Sequence, residues 1–333
     1  MAEKQTSGSA RFRAAILRLM ERLLPVWDNL FLTEPGRWIV SWAVLAAGYG
    51  VGKSVVEAEL FWRWSPAREP FLLFAGVTLL LAAAALLRQV ARLGQDDPPG
   101  PANRLAHLER SGGHLDKVAW LLAAAGLLAI LPSGPWGVLF AFGLFLTSGG
   151  AEGVAGLRGN RWRLPRLLEY LASGILMLLL GYAASGSPLD GAWNGLRPYF
   201  MAYLAVGFML LMAPFDAPGD APAIVPKSAP GWGAMLLSTA LILAAVYAGY
   251  RGNDPVITTA GSLILPFYAV NLLYRRPSDI ARTIRYSVLM LILFVGARYP
   301  LIYPATLLNF YLCRFYFKRR YGVGYPLFTR EPS

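Results

Sequence analysis

The chain has 333 residues, of which 56% are hydrophobic and only 15% charged, with a formal charge of +12. A soluble domain typically carries about 25% charged residues, so apolar stretches of roughly 15–20 residues recurring along the whole length predict a polytopic helical membrane protein. The positive charge does not point to nucleic acid, because Lys and Arg cluster between the apolar stretches and no soluble domain is left over to bind it.

In chain order, "MAEKQTSGSARFRAAILRLMERLLPVW" reads as a polar tail followed by a basic amphipathic stretch, which predicts an interfacial helix within residues 1–30. Residues 31–320 are expected to form one transmembrane unit and 321–333 a C-terminal tail. Candidate spans cover about 37–56, 70–90, 117–131, 136–150, 168–184, 199–215, 232–250, 255–273 and 286–317. The last run is too long for one crossing at ~1.5 Å per residue. Its "GARYPLIYP" segment, with Arg298, Pro300 and Pro304, makes it either one kinked helix or two shorter ones. The expected fold class is all-α, a polytopic transmembrane bundle of nine or ten spans.

Loop charge supplies an orientation. Arg88, Arg92, Arg104, Arg110 and Lys117 follow the second span, Arg158, Arg161, Arg163 and Arg166 the fourth, and Arg275, Arg276, Arg282 and Arg285 the eighth. The intervening connections are sparse in cations, so the basic side, with the N-terminus, is expected in the cytoplasm of a bacterial inner membrane. The terminal "RFYFKRRYGVG" is basic too and favours an even number of spans, whereas a count of nine places it outside.

The acidic residues fall in two loops of this basic side. "FDAPGDAPAIVPKS" follows span six and carries Asp216 and Asp220 four residues apart, then Lys227. Carboxylates so placed suit a hard divalent cation such as Mg²⁺, which binds one or two protein carboxylates and completes its shell with water and substrate phosphate. Asp, Pro and Gly are equally the ordinary residues of a solvated loop. "RLGQDDPPGPANRLAHLERSGGHLDK" follows span two, and its adjacent Asp96 and Asp97 sit in a proline-rich turn. His107 and His114 have no matched ligand spacing. Glu152 is a lone acid at the end of span four, and Tyr199, Phe200 and Tyr203 are expected to form an interfacial aromatic belt. The single cysteine, Cys313, excludes an internal disulfide and a cysteine metal cage and is expected to be an inert, lipid-facing or packed thiol.

Taken together, an acidic loop after span two and another after span six resemble the UbiA-type intramembrane prenyltransferases over roughly residues 30–320. The second loop is similar to that family's Asp-x-x-x-Asp motif followed by a basic residue, with Lys227-Ser228 about where the family has them. The family's first loop reads Asn-Asp-x-x-Asp-x-x-x-Asp-x-x-Asn before a Ser-Gly. Anchored on Ser111-Gly112, Asn103 and Asp96 match the final Asn and the second Asp. Arg92 stands on the leading Asn, and Leu93 and Gly100 stand where the first and third acids are expected. The basic loop and helix of 156–182 are similar as well.

The resemblance implies a central lipid-accessible cavity and transfer of an isoprenoid chain from a polyprenyl diphosphate to a lipophilic acceptor, aromatic, quinone-precursor or tetrapyrrole. It implies Mg²⁺ on Asp216, Asp220 and Asp96, which are also the catalytic carboxylates, and diphosphate contacts from Lys227, Arg92, Asn103, Arg158 and Arg161. Membrane lipids and a membrane complex are the other expected partners. Leu93 and Gly100 support a second reading, a weakly active or inactive relative that serves as a lipid- or pigment-binding subunit. A transporter is the third reading, and Arg298 is its one candidate deep charge.

Overall fold

The computed structural model describes residues 18–57, 69–93, 104–108, 114–150, 166–212, 232–274 and 276–322. Among the described residues every regular element is helical. A short helix α1 (Leu24–Phe31) precedes α2 (Trp38–Glu57), α3 (Glu69–Arg92), α4 (Leu115–Ile130) and α5 (Gly134–Phe145). There follow α6 (Arg166–Ala184), α7 (Ala192–Met212), α8 (Trp232–Arg251), α9 (Pro255–Tyr274), α10 (Pro277–Arg298) and α11 (Ile302–Tyr321). A single helical turn, Arg104–His107, lies between α3 and α4.

The helix boundaries follow local chemistry. Proline opens α9 and α10 and lies in the first two positions of α5, where its missing N–H removes no helical bond. Gly322 ends α11 at φ +68, the left-handed conformation that releases a helix terminus. The long run expected over 286–317 is two helices, α10 and α11, broken at Tyr299–Leu301. α10 starts nine residues before the apolar run, because "PSDIARTIR" is too charged for a hydropathy window while Pro277 and Asp279 are good first-turn residues. α7 likewise starts at Ala192, ahead of Pro198, and Gly195 lies against Val51 of α2.

Among the described residues, five segments are long and apolar enough to cross a bilayer: Pro70–Ala91, Leu115–Gly150, Trp232–Arg251, Pro255–Tyr274 and Asp279–Arg298. Leu115–Gly150 contains both α4 and α5, folded back at the tight turn Leu131–Ser133, where Gly134 takes φ +76. With outward-facing apolar side chains such as Leu121, Leu128, Leu273 and Leu308, these segments make the chain an integral membrane protein.

Neighbouring helices close two rings that share the α2–α6 pair. One runs α2, α3, α4, α5, α6, and the other runs α2, α6, α7, α8, α9, α10. The shared pair packs through glycine: a Cβ on Gly48 would overlap the Leu178 carbonyl, and one on Gly181 would overlap the Leu45 carbonyl. Such small residues let backbones touch, which is how helices gain contact where lipid offers no hydrophobic drive. α2 and α6 run parallel, since Gly48 meets Leu178 and Gly52 meets Ser185 one turn later. α7 runs against them, with Gly195 by Val51 and Tyr203 by Gly174.

The chain ends meet at one end of the bundle. Arg320 of α11 grips the Asp28 carboxylate of α1 with two nitrogens, at 3.1 and 2.6 Å, and the Tyr316 hydroxyl donates to it at 2.9 Å. The Phe31 and Tyr316 rings stack at 3.8 Å. Arg104, at the exit of the first acidic loop, donates to the Phe31 carbonyl, and its backbone N–H donates to the Gln89 side chain of α3. The basic C-terminal run therefore returns to the end where α2 begins, the arrangement that an even number of crossings gives. Cys313 is packed inside and donates to Asn309 at 3.1 Å.

Asp28→Ala strands a guanidinium and a hydroxyl together and is expected to cost about 2–3 kcal/mol. Hydrogen exchange reads the effect as faster labelling confined to α1 and the last turns of α11.

Candidate functional site

The second ring encloses a small apolar chamber of about 70 Å³, below the ordinary range of small-molecule sites. Val40, Val44 and Ala47 of α2 line one wall, and α9 supplies Val256, Ile257, Ala260 and Ile264 opposite. Tyr170 of α6 and Tyr203 of α7 project into it as a stacked pair, centroids 4.6 Å apart, and the Tyr203 hydroxyl donates to the Tyr170 carbonyl at 2.9 Å. Gly174 makes room for the Tyr203 ring. Tyr199 also lines the chamber and is 4% exposed. The expected interfacial belt is thus wrong for Tyr199 and Tyr203. Because α7 begins two turns earlier than its apolar run, both lie inside the bundle on one helical face, and the exposed aromatic of this helix is Trp193.

At the end of the chamber where α2 begins stands a group of charges. Arg37, the last residue of the turn that leads into α2, falls in line with Val40, Val44 and Ala47 at the spacing of a helical stripe. Its Nε lies 3.2 Å from Oε2 of Glu34, and Nη1 of Arg88 lies 3.7 Å from that same oxygen. Arg88 is almost buried on α3 and also donates to the Ser148 carbonyl beyond α5. Gly149, at φ +118, leaves space for its guanidinium, which a Cβ would approach to 2.8 Å. The Arg88 charge pushes Arg37 below its ordinary pKa, Glu34 pulls it back, and Glu169 beside Tyr170 acts in the same direction as Glu34. Arg88 and Arg104 are therefore not the solvated loop cations expected from sequence. Both are buried, and each donates to a backbone carbonyl.

No protein-family model and no curated protein matches the sequence. Among solved structures, the chain is similar to a digeranylgeranylglyceryl phosphate synthase at 14% identity and TM-score 0.58, over 84% of this chain and 98% of that one. It is similar to a UbiA homologue from Archaeoglobus fulgidus bound to GPP and Mg²⁺, at 13% identity and TM-score 0.55, over 83% and 99%. The same homologue bound to DMAPP and Mg²⁺ matches at 15% identity and TM-score 0.51, over 79% and 99%. The chain has the UbiA-type fold.

Within this UbiA-type bundle, Asp96 and Asn103 fall in 94–103, Arg158, Arg161 and Glu152 in 151–165, and Asp216, Asp220 and Lys227 in 213–231, all outside the described residues. Arg92 ends α3, and only its backbone is described. The flanks of these loops are described and share one end. α3 ends beside the Arg88–Glu34 pair, α7 ends near Asn271 of α9 through Met209, and the Arg104 turn is tied to α1. Leu93, where the resemblance expects an acid, is half-buried and packs on the apolar core. Among the described residues no three His, Cys, Asp or Glu side chains gather as a metal cage. The arginines at the mouth were missed because a charge beside an apolar run looks like loop in a hydropathy profile.

The opposite end of the UbiA-type chamber is also polar. Arg298, expected as the deep charge, is 2% exposed, and its Nη1 approaches the Gly50 carbonyl at 3.5 Å. Asp254 caps α9, accepting from the N–H groups of Val256 and Ile257 at 2.9 and 3.2 Å. Burial raises its pKa above the ordinary 3.8, partly offset by the nearby Tyr199 hydroxyl and by the hydrogen bonds from those backbone groups. A raised folded pKa means that the folded state holds its proton longer than the unfolded chain. The associated stabilisation is complete below about 3.8 and is lost as pH rises through the higher folded value. Asp254→Asn keeps a good cap and removes the titration. Thermal unfolding is therefore expected to favour the variant over the wild type increasingly as pH climbs out of the acid range.

Proposed function

We propose that the protein is a membrane prenyltransferase that moves an isoprenoid chain from a polyprenyl diphosphate to a lipophilic acceptor carrying an electron-rich, aromatic group. The observation that carries this reading is the apolar chamber of the UbiA-type fold, open to cations at the end where both acidic loops attach. The long apolar donor would lie along the α2 and α9 walls, already dissolved in the bilayer that surrounds the protein. Its diphosphate would face Lys227, Arg92, Asn103, Arg158 and Arg161, which bind and orient it. Asp216, Asp220 and Asp96 offer the carboxylate oxygens that a hard cation takes, and would hold Mg²⁺. When bound, that ion would neutralise charge on the departing diphosphate.

In the reaction, the allylic C–O bond breaks and diphosphate leaves with the electron pair. The acceptor then bonds to the allylic carbon and releases a proton. The chamber's contribution is to exclude water, which would otherwise capture the cation, and to set the faces of Tyr170 and Tyr203 beside it, where aromatic rings attract positive charge. The acidic loops and the N-terminus would face the cytoplasm of a bacterial inner membrane, where water-soluble diphosphates are available. The test is release of diphosphate from a labelled polyprenyl diphosphate by the purified protein with a membrane-lipid extract as acceptor. Mg²⁺-dependent release with a prenylated lipid product is the expected result, and its absence with every chain length from C10 to C50 overturns the reading.

A further inference from the structure

Two guanidinium groups that converge on a single carboxylate oxygen are an unusual arrangement, because one negative charge is divided between two positive ones. Here the group is only partly in water: the Arg88 and Glu34 side chains are 9% and 15% exposed, while Arg37 is 56% exposed. Glu34 itself sits at φ +53, a conformation disfavoured for any residue with a Cβ. Such local strain persists only where the surroundings hold it, here the following Pro35, the turn Pro35–Arg37 and the two arginines. Arg88 is held in place by the Ser148 carbonyl and by the gap left at Gly149. Arg37 is the movable member, and its helical face continues directly into the chamber wall.

We infer that Arg37 and Arg88 form an anion seat that takes the phosphate-bearing head of an isoprenoid amphiphile without the help of a metal ion, with Glu34 as the internal counter-ion that Arg37 exchanges for the ligand. The inference rests on reading the chamber as the place of an isoprenoid chain. The planar fork of arginine matches two phosphate oxygens at once, and a diphosphate carries the extra negative charge that one carboxylate lacks. Low exposure on the Arg88 side strengthens each contact relative to water. The seat belongs to the same end of the bundle as the first acidic loop, in which Leu93 and Gly100 stand where acids are expected. Arginine thus supplies part of the anion binding that this loop cannot supply through metal.

The full chain, in nanodiscs of phosphatidylcholine, is titrated with labelled farnesyl diphosphate in Mg²⁺ and again in EDTA. Wild-type binding is expected to weaken by no more than about tenfold in EDTA. Arg37→Gln is expected to weaken the EDTA value by a further tenfold to hundredfold, roughly the loss of one charge-assisted pair, with Arg37→Lys intermediate. Binding of uncharged geranylgeraniol by Arg37→Gln is expected to equal wild type, which shows that the chamber is still folded. Repeating the titration in phosphatidylglycerol nanodiscs separates the two sources of such a head: competition assigns the seat to a lipid headgroup, and none assigns it to a free prenyl diphosphate. Loss of all wild-type binding in EDTA, or unchanged binding by Arg37→Gln, overturns the inference while leaving prenyl transfer intact. Binding without diphosphate release does the reverse.

Discussion

Asp216→Ala and Asp220→Ala are each expected to lower diphosphate release by about 10²–10⁴-fold, equivalent to several kcal/mol of leaving-group stabilisation. The size of the effect follows from the poverty of the partner loop. Where the first loop offers Asp96 but has Leu93 and Gly100 at the positions where the resemblance expects acids, Asp216 and Asp220 would carry most of the carboxylate donors proposed for the divalent cation. Removing either leaves few protein oxygens for an ion that prefers several. The measurement is steady-state release of labelled diphosphate by each variant, with geranylgeraniol retention as the check that the chamber survives. Unchanged release in both variants would remove these acids from the mechanism. Position 93 is not an open seat awaiting a carboxylate, since Leu93 packs on the core and an acid there would be partly desolvated.

The largest effect on stability is expected from Gly48→Val. Its Cβ would fall on the Leu178 backbone, which cannot swing aside as the end of a side chain can, so α2 and α6 must separate. That pair is shared by both helical rings, and its separation disturbs the packing of each. Overpacking typically costs 1–3 kcal/mol and occasionally more, and an interface of backbone against backbone belongs at the upper end, about 3 kcal/mol. Gly233→Ala provides the contrast, because nothing lies within 4 Å of a Cβ there. It is expected to be neutral or to stabilise by up to about 1 kcal/mol through the unfolded state. Unfolding in mixed micelles compares the two, and equal midpoints would mean that the α2–α6 approach does not hold the bundle.

Most of the helices were readable because they contain apolar runs, and the hydropathy of a segment is a local property. The ends were less readable. "PSDIARTIR" and "AWNGLRP" are helical although charged or proline-containing, because packing against neighbours, not burial in lipid, decides whether those turns form. The same logic misplaced Tyr199 and Tyr203. An aromatic near the end of an apolar run looks like a membrane-interface anchor until the helix is seen to begin two turns earlier and to direct that face into a cavity.

What the sequence by itself determined about this protein is what depends on neighbours along the chain. That includes membrane residence, the helical class, and the two loops whose acids give the resemblance to UbiA-type enzymes. Tertiary structure alone decided which residues meet across long separations. Glu34 reaches Arg88 from before the first spanning helix, Asp28 reaches Arg320 over nearly the whole chain, and Gly48 lies on Leu178. The physical reason is that a charge or a glycine acquires its role from what it touches. An arginine beside an apolar run has the same local signature whether it is solvated or, like Arg88, buried with a carboxylate at the mouth of a chamber.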